Sequence, residues 1–115
     1  MGAQETKIQK EVMQTLRDVP YVFAVRYSGY RPSFHKLWKT GGQDVGVADI
    51  ICCVAGCYCE LEIKTDTGVQ SPEQIAHADK IVKMGGQYQV IKSAHDAYVF
   101  VSKVRDLMLY KLNKK

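Results

Sequence analysis

The chain has 115 residues, 46% of them hydrophobic and 24% charged, the make-up of an ordinary soluble globule, expected as one domain over 1–115. No apolar run approaches the roughly 20 residues of a membrane helix, and the N-terminus lacks the charged-then-apolar layout of a secretory signal, so a cytoplasmic protein without a membrane partner is expected. Sixteen Lys and Arg against twelve Asp and Glu give a formal net charge of +4, a mild lean toward a polyanionic partner.

Residues 4–17 read as a helix, because Ile8, Val12 and Leu16 recur every four residues as one apolar stripe. Pro20 ends it. Tyr21 to Tyr27 is rich in aromatic and β-branched residues and reads as a strand. Residues 28–46 carry four glycines and a proline without sustained periodicity, and read as a long loop of the kind that is usually functional or mobile. From Arg26 to Lys39 the basic residues Arg26, Arg31, Lys36 and Lys39 alternate with Tyr27, Tyr30, Phe34, His35 and Trp38, with no acidic residue among them. Arg26, Arg31, Lys36 and Lys39 are candidate phosphate contacts, and Tyr30 and its aromatic neighbours candidate stacking partners for bases. The alternative is a solvated loop whose Trp38 packs on the core or on a second copy of the chain.

Val47 to Val54 reads as a strand, Ala55-Gly56 as a tight turn, and Tyr58 to Lys64 as the returning arm of a hairpin. Cys52, Cys53, Cys57 and Cys59 fall on these two arms, where neighbours point to opposite faces. That suits core cysteines better than one tetrahedral zinc or a disulfide. Ser71-Pro72-Glu73-Gln74 is a helix start, with Ser71 as N-cap, Pro72 at the first helical position and Gln74 able to close a capping box. Gly85-Gly86 stops that helix. Gln87 to Lys92 is a short strand, so residues 58–92 form a βαβ unit with parallel strands. Ser93 can cap a last helix running to about Leu112. The order α-β-β-β-α-β-α predicts an α/β fold, a mixed β-sheet flanked by helices.

The chemistry concentrates on the hairpin. A period of two places Glu60, Glu62 and Lys64 on one face of the second arm, with Cys59, Leu61 and Ile63 on the other. If the turn centres on Ala55-Gly56, Asp49 pairs near Glu62. Two facing carboxylates repel unless a cation lies between them, and hard oxygen ligands suit Mg²⁺. Lys64 beside them is a point charge able to hold an attacking water or to offset charge on a phosphate. Asp, then Glu-x-Lys, on adjacent strands is the minimum kit for metal-assisted phosphodiester hydrolysis. The plain alternative makes Glu62 and Lys64 the wet face of an antiparallel sheet. Asp49 argues against it, because it interrupts a run that should be largely buried, where an unpartnered carboxylate is costly.

Gly46-Val47-Ala48-Asp49-Ile50, Glu62-Ile63-Lys64, Ser71-Pro72-Glu73-Gln74 and Gly85-Gly86 together resemble the VRR-NUC family of the PD-(D/E)XK nuclease superfamily, in order and in spacing, over about residues 5–100. The resemblance implies a restriction-endonuclease-like fold and a Mg²⁺-dependent DNA endonuclease in which Mn²⁺ can substitute. It implies Asp49, Glu62 and the Ile63 carbonyl as metal ligands and Lys64 as the catalytic lysine. Glu11 is the position matching the family's first-helix glutamate that faces the metal, which would make it a further catalytic and metal-site residue, and its alternative is a solvated helix residue. Gln74 matches the family's active-site glutamine, against the capping-box reading, and one side chain is expected to serve one role or the other; Gln70 is a nearby substitute. After the lysine this chain departs from the family's more basic, proline-containing segment with Thr65-Asp66-Thr67-Gly68-Val69.

Small stand-alone members of the family, often phage or bacterial, imply structure-specific cleavage of branched DNA such as four-way (Holliday) junctions. Symmetric cutting of two strands by a chain with one site calls for a homodimer. No small-molecule cofactor is expected. Two rivals come from other classes: a non-catalytic nucleic-acid-binding module with the same fold, and a zinc-dependent structural protein using the four cysteines. His35, His77 and His95 show no catalytic constellation in the sequence.

Overall fold

The computed structural model describes residues 2–27 and 46–114. Tyr30, Arg31, Lys36 and Lys39, with the aromatic residues between them, lie outside the described residues. Of the candidate nucleic-acid contacts only Arg26 is described, and it is exposed at the end of a strand.

The elements follow the predicted order. Helix α1 spans Ala3–Arg17, strand β1 Val22–Arg26, β2 Ile50–Val54 and β3 Cys57–Ile63. Helix α2 spans Pro72–Lys83, strand β4 Gln87–Ile91, and helix α3 Ala94–Asn113. The four strands form one sheet in the order β1-β2-β3-β4, antiparallel from β1 to β3 and parallel between β3 and β4. The parallel pair is the βαβ unit, with α2 as its crossover.

The β2–β3 hairpin sets the register that matters for the site. Val54 pairs with Cys57, leaving Ala55 (φ 49°) and Gly56 (φ 89°) as a two-residue turn. Both central residues take positive φ, the turn whose twist matches that of the flanking strands. Counting back from it, Ile50 faces Leu61, and the next pair along is Asp49 opposite Glu62.

The core lies on one side of the sheet. Val12 and Leu16 of α1 and Ala97 and Val101 of α3 pack there against Ile50, Cys52 and Val54 of β2, Cys57, Cys59, Leu61 and Ile63 of β3, and Ile91 of β4. Helix α2 covers the opposite face through its packing on β4. Three of the four cysteines are therefore apolar core residues, while Cys53 is exposed on the other side of β2, and all four are free thiols.

From Cys59 to Ile63, strand β3 is buried on both faces. Glu60 and Glu62, on the side away from the apolar core, are only 0% and 4% exposed. The wet-face alternative is thereby overturned for Glu62: α2 roofs that face of the sheet. Among the described residues no helix is long and apolar enough to cross a membrane.

Candidate active site

Asp49 is delivered by the segment 46–49, which runs along α2 before entering β2. Gly46 has φ 89°, and a Cβ there would overlap the carbonyl oxygen of Glu73 and lie 3.0 Å from Cβ of His77. Only glycine combines that backbone conformation with so close an approach to the helix. Two bonds then tie the segment to β3. Ala48 N–H donates to Glu60 Oε1 (3.1 Å), and Ile63 N–H donates to Asp49 Oδ2 (2.8 Å).

Glu62 faces Asp49 from β3 and is held on several sides. Gln74 Nε2 donates to Glu62 Oε2 at 2.8 Å, Tyr88 reaches Oε1 with its hydroxyl at 3.5 Å, and Lys64 Nζ lies 3.7 Å from Oε2. Burial and then the charge of Asp49 push the Glu62 carboxyl up to about 7, against the opposing pull of Lys64 and Gln74. Asp49 is also raised, chiefly by burial and further by the charge of Glu5, while the Ile63 N–H and a hydrogen bond with Glu62 hold it down. Buried Glu62 and partly buried Asp49 thus each raise the other's cost of ionising, as like charges in a low-dielectric setting must.

That cost is the structural test of a cation. Asp49 and Glu62 are oxygen donors whose mutual repulsion a divalent ion would relieve, and they suit Mg²⁺, which is usually held by one or two carboxylates and keeps several waters. Among the described residues no three His, Cys, Asp or Glu side chains form a metal-binding group, so the carboxylates available to such an ion are these two. The residues present fit the ion.

Glu11 is exposed on α1, whereas Glu5 is the first-helix carboxylate whose charge reaches Asp49. At about 100° per residue, Glu5 falls within about 20° of Val12 around the helix, but Glu11 falls about 100° away. The buried line is Gln9, Val12 and Leu16, and Glu5 extends it toward the N-terminus.

The expected choice for Gln74 is corrected. Its Oε1 accepts from Ser71 N–H at 2.9 Å and its backbone N–H donates to Ser71 Oγ at 3.1 Å, completing the capping box, while its Nε2 reaches Glu62. An amide has an acceptor end and a donor end, and each does one job. Gln70 is hydrogen-bonded instead to Tyr88.

Two partners of the site were not legible as such. Tyr88 of β4 stands over the pair, and its phenol is held above its ordinary pKa, first by burial and then by the charge of Glu62. His77 places Nε2 2.9 and 3.0 Å from the two oxygens of Glu60. The one available signal was the spacing of Gln74 and His77, one turn apart on a helix that must cover Glu60 and Glu62. His95 is exposed on α3.

The mixed four-stranded sheet flanked by helices has the fold of solved VRR-NUC domains. Among solved structures, a chain titled "VRR_NUC domain protein" is 18% identical with a TM-score of 0.65, covering 90% of this chain and 88% of the other. A second, titled "VRR_NUC domain", is 15% identical with a TM-score of 0.61, covering 88% and 97%. At these identities the likeness is one of fold. Neither a family model nor a curated protein matches the sequence.

Proposed function

We propose that this protein is a metal-dependent DNA endonuclease that hydrolyses phosphodiester bonds, acting on branched DNA such as four-way junctions as a homodimer. The observation that carries the reading is the Asp49–Glu62 pair, facing each other across a hairpin with Lys64 Nζ 3.7 Å from Glu62, on a VRR-NUC-like fold. The chemistry a bound Mg²⁺ or Mn²⁺ supplies in such a site is polarisation of the phosphate and activation of a water. Asp49 and Glu62 would hold the ion, with the Ile63 carbonyl completing the set.

The chain's own groups have distinct tasks in this reading. Ile63 N–H and Gln74 Nε2 orient the two carboxylates, each through one oxygen, with the Tyr88 hydroxyl 3.5 Å from the other Glu62 oxygen. Lys64 extends its ammonium beside Glu62, where it orients the attacking water or offsets charge growing on the phosphate. Branched DNA as substrate, and a dimer presenting two such sites, rest on the resemblance and on the need to cut two strands.

The test is cleavage of labelled four-way junction and linear duplex DNA with Mg²⁺ or Mn²⁺, comparing the natural protein with Lys64→Ala. Paired nicks near the branch point, reduced about 100-fold or more in the variant, are expected. A folded natural protein that binds DNA but cuts neither substrate with either metal would be a binding module instead.

A further inference from the structure

Beneath the Asp49–Glu62 pair lies a second polar cluster with no part in the chemistry just proposed. Glu60 is fully buried, and among the described residues no lysine or arginine pairs with it. Its oxygens are held by three partners instead: Ala48 N–H and the Tyr58 hydroxyl donate to them, and His77 Nε2 lies 2.9 Å away. Burying a carboxylate is costly unless its hydrogen bonds are complete, so such an arrangement in place of an apolar core calls for a reason.

The connections supply one. Ala48 immediately precedes Asp49, so the bond from its N–H to Glu60 fixes the backbone from which the Asp49 carboxylate projects. His77 and Gln74 lie one turn apart on α2, and Glu60 and Glu62 lie two residues apart on β3, so neighbouring bonds pair 74 with 62 and 77 with 60. Gly46 packs against the same turn of α2, with His77 Cβ as one wall. The rings of His77 and Tyr88 meet edge to face, their centroids 6.2 Å apart, and Tyr88 in turn reaches toward Glu62. One side chain thus touches the helix, the strand and the segment that together place both carboxylates.

We propose that His77 is a positioning residue for the metal site: by donating from Nε2 to the buried Glu60, it holds the carboxylate that anchors Ala48, and so sets the separation of Asp49 from Glu62. This rests on the reading of that pair as a cation site. In this role His77 acts through Glu60. Outer partners that orient metal-ligating groups typically matter by 10–100-fold in affinity or activity.

The experiment measures Mn²⁺ binding to the DNA-free protein by calorimetry, together with kcat and KM for DNA cleavage. It compares the natural protein with His77→Phe and His77→Gln. Glutamine can place an amide donor where Nε2 stands, and phenylalanine keeps the ring but cannot donate. The expected result is Mn²⁺ affinity weakened on the order of 10-fold or more in His77→Phe, an unchanged KM for DNA, and recovery to within a few-fold in His77→Gln. Should His77→Phe fail to fold, His77→Asn, polar but too short to reach Glu60, takes its place with the same expected loss. A folded His77→Phe that binds Mn²⁺ as tightly as the natural protein overturns the proposal, as does an equal loss in His77→Gln. A natural protein that neither binds Mn²⁺ nor cleaves DNA fails one step earlier, removing the metal-site reading itself.

Discussion

Gln74 shows how far single residues could be read from the sequence. Its place in a Ser-Pro-Glu-Gln helix start and its place opposite Glu62 looked like competing explanations, yet the amide satisfies both with opposite ends. Gln74→Ala is therefore expected to act twice. It costs about 1 kcal/mol of stability through the lost bond from Ser71 N–H, measured by urea denaturation, and it lowers cleavage because Glu62 loses a donor. Gln74→Glu separates the effects, since a carboxylate can still accept from Ser71 N–H but brings a like charge against Glu62. Its cap should survive while cleavage falls at least as far as in the alanine variant. Asp49 and Glu62 were readable because hairpin register follows from the turn, and Lys64 because strand period follows from Glu62. Glu5 was not. The stripe of Ile8, Val12 and Leu16 marks a direction without marking its centre, and the buried Gln9 that shifts that centre is polar.

The elements were the most legible level, because their ends carry chemistry of their own. Ser71 and Ser93 cap α2 and α3 as their sequence positions suggest, accepting from Gln74 and Asp96 N–H respectively. The turn at Ala55-Gly56 was legible too, although Ala55 takes positive φ without being glycine. A left-handed conformation costs an ordinary L-residue roughly 1–2 kcal/mol, and asparagine tolerates it better. Ala55→Asn is accordingly expected to raise stability by about 0.5–1 kcal/mol, seen as a higher urea midpoint with an unchanged slope. What the sequence hid was the environment of β3. Alternation of Glu60 and Glu62 with Leu61 and Ile63 looks like a half-wet strand, but the roofing helix meets the glutamates with Gln74 and His77 rather than with apolar residues. Polar groups paired across two elements leave no periodic trace in either one.

At the scale of the whole molecule, the site should make stability depend on pH and metal together. The Glu62 carboxyl is raised to about 7 in the folded chain, against 4.5 ordinarily, by burial and by Asp49. Between those values the folded state binds more protons than the unfolded one, so stability contributed by Glu62 is present at low pH and lost as pH rises through about 7. Metal-free protein is thus expected to melt at a lower temperature at pH 8 than at pH 5 on this account. Glu62→Gln should flatten the difference. Mn²⁺ should act in the opposite sense, raising the melting temperature more at pH 8, where it need not displace a proton. A Mn²⁺-induced shift of equal size at both pH values, or one retained in Glu62→Gln, would mean that the ion binds elsewhere.

The order of helices and strands, the antiparallel hairpin and the parallel βαβ pair all follow from periodicity, caps and turns, whereas the way α2 closes over the carboxylates depends on contacts between distant segments. That closure is what turns a common Glu-x-Lys strand into a candidate site. The most direct test of the central claim is a Mn²⁺ soak of crystals of the protein, with the metal located by its anomalous scattering. The account predicts a peak between the carboxylates of Asp49 and Glu62, at oxygen-ligand distance from both. No peak there at saturating Mn²⁺, with the two side chains still hydrogen-bonded to each other, would contradict it.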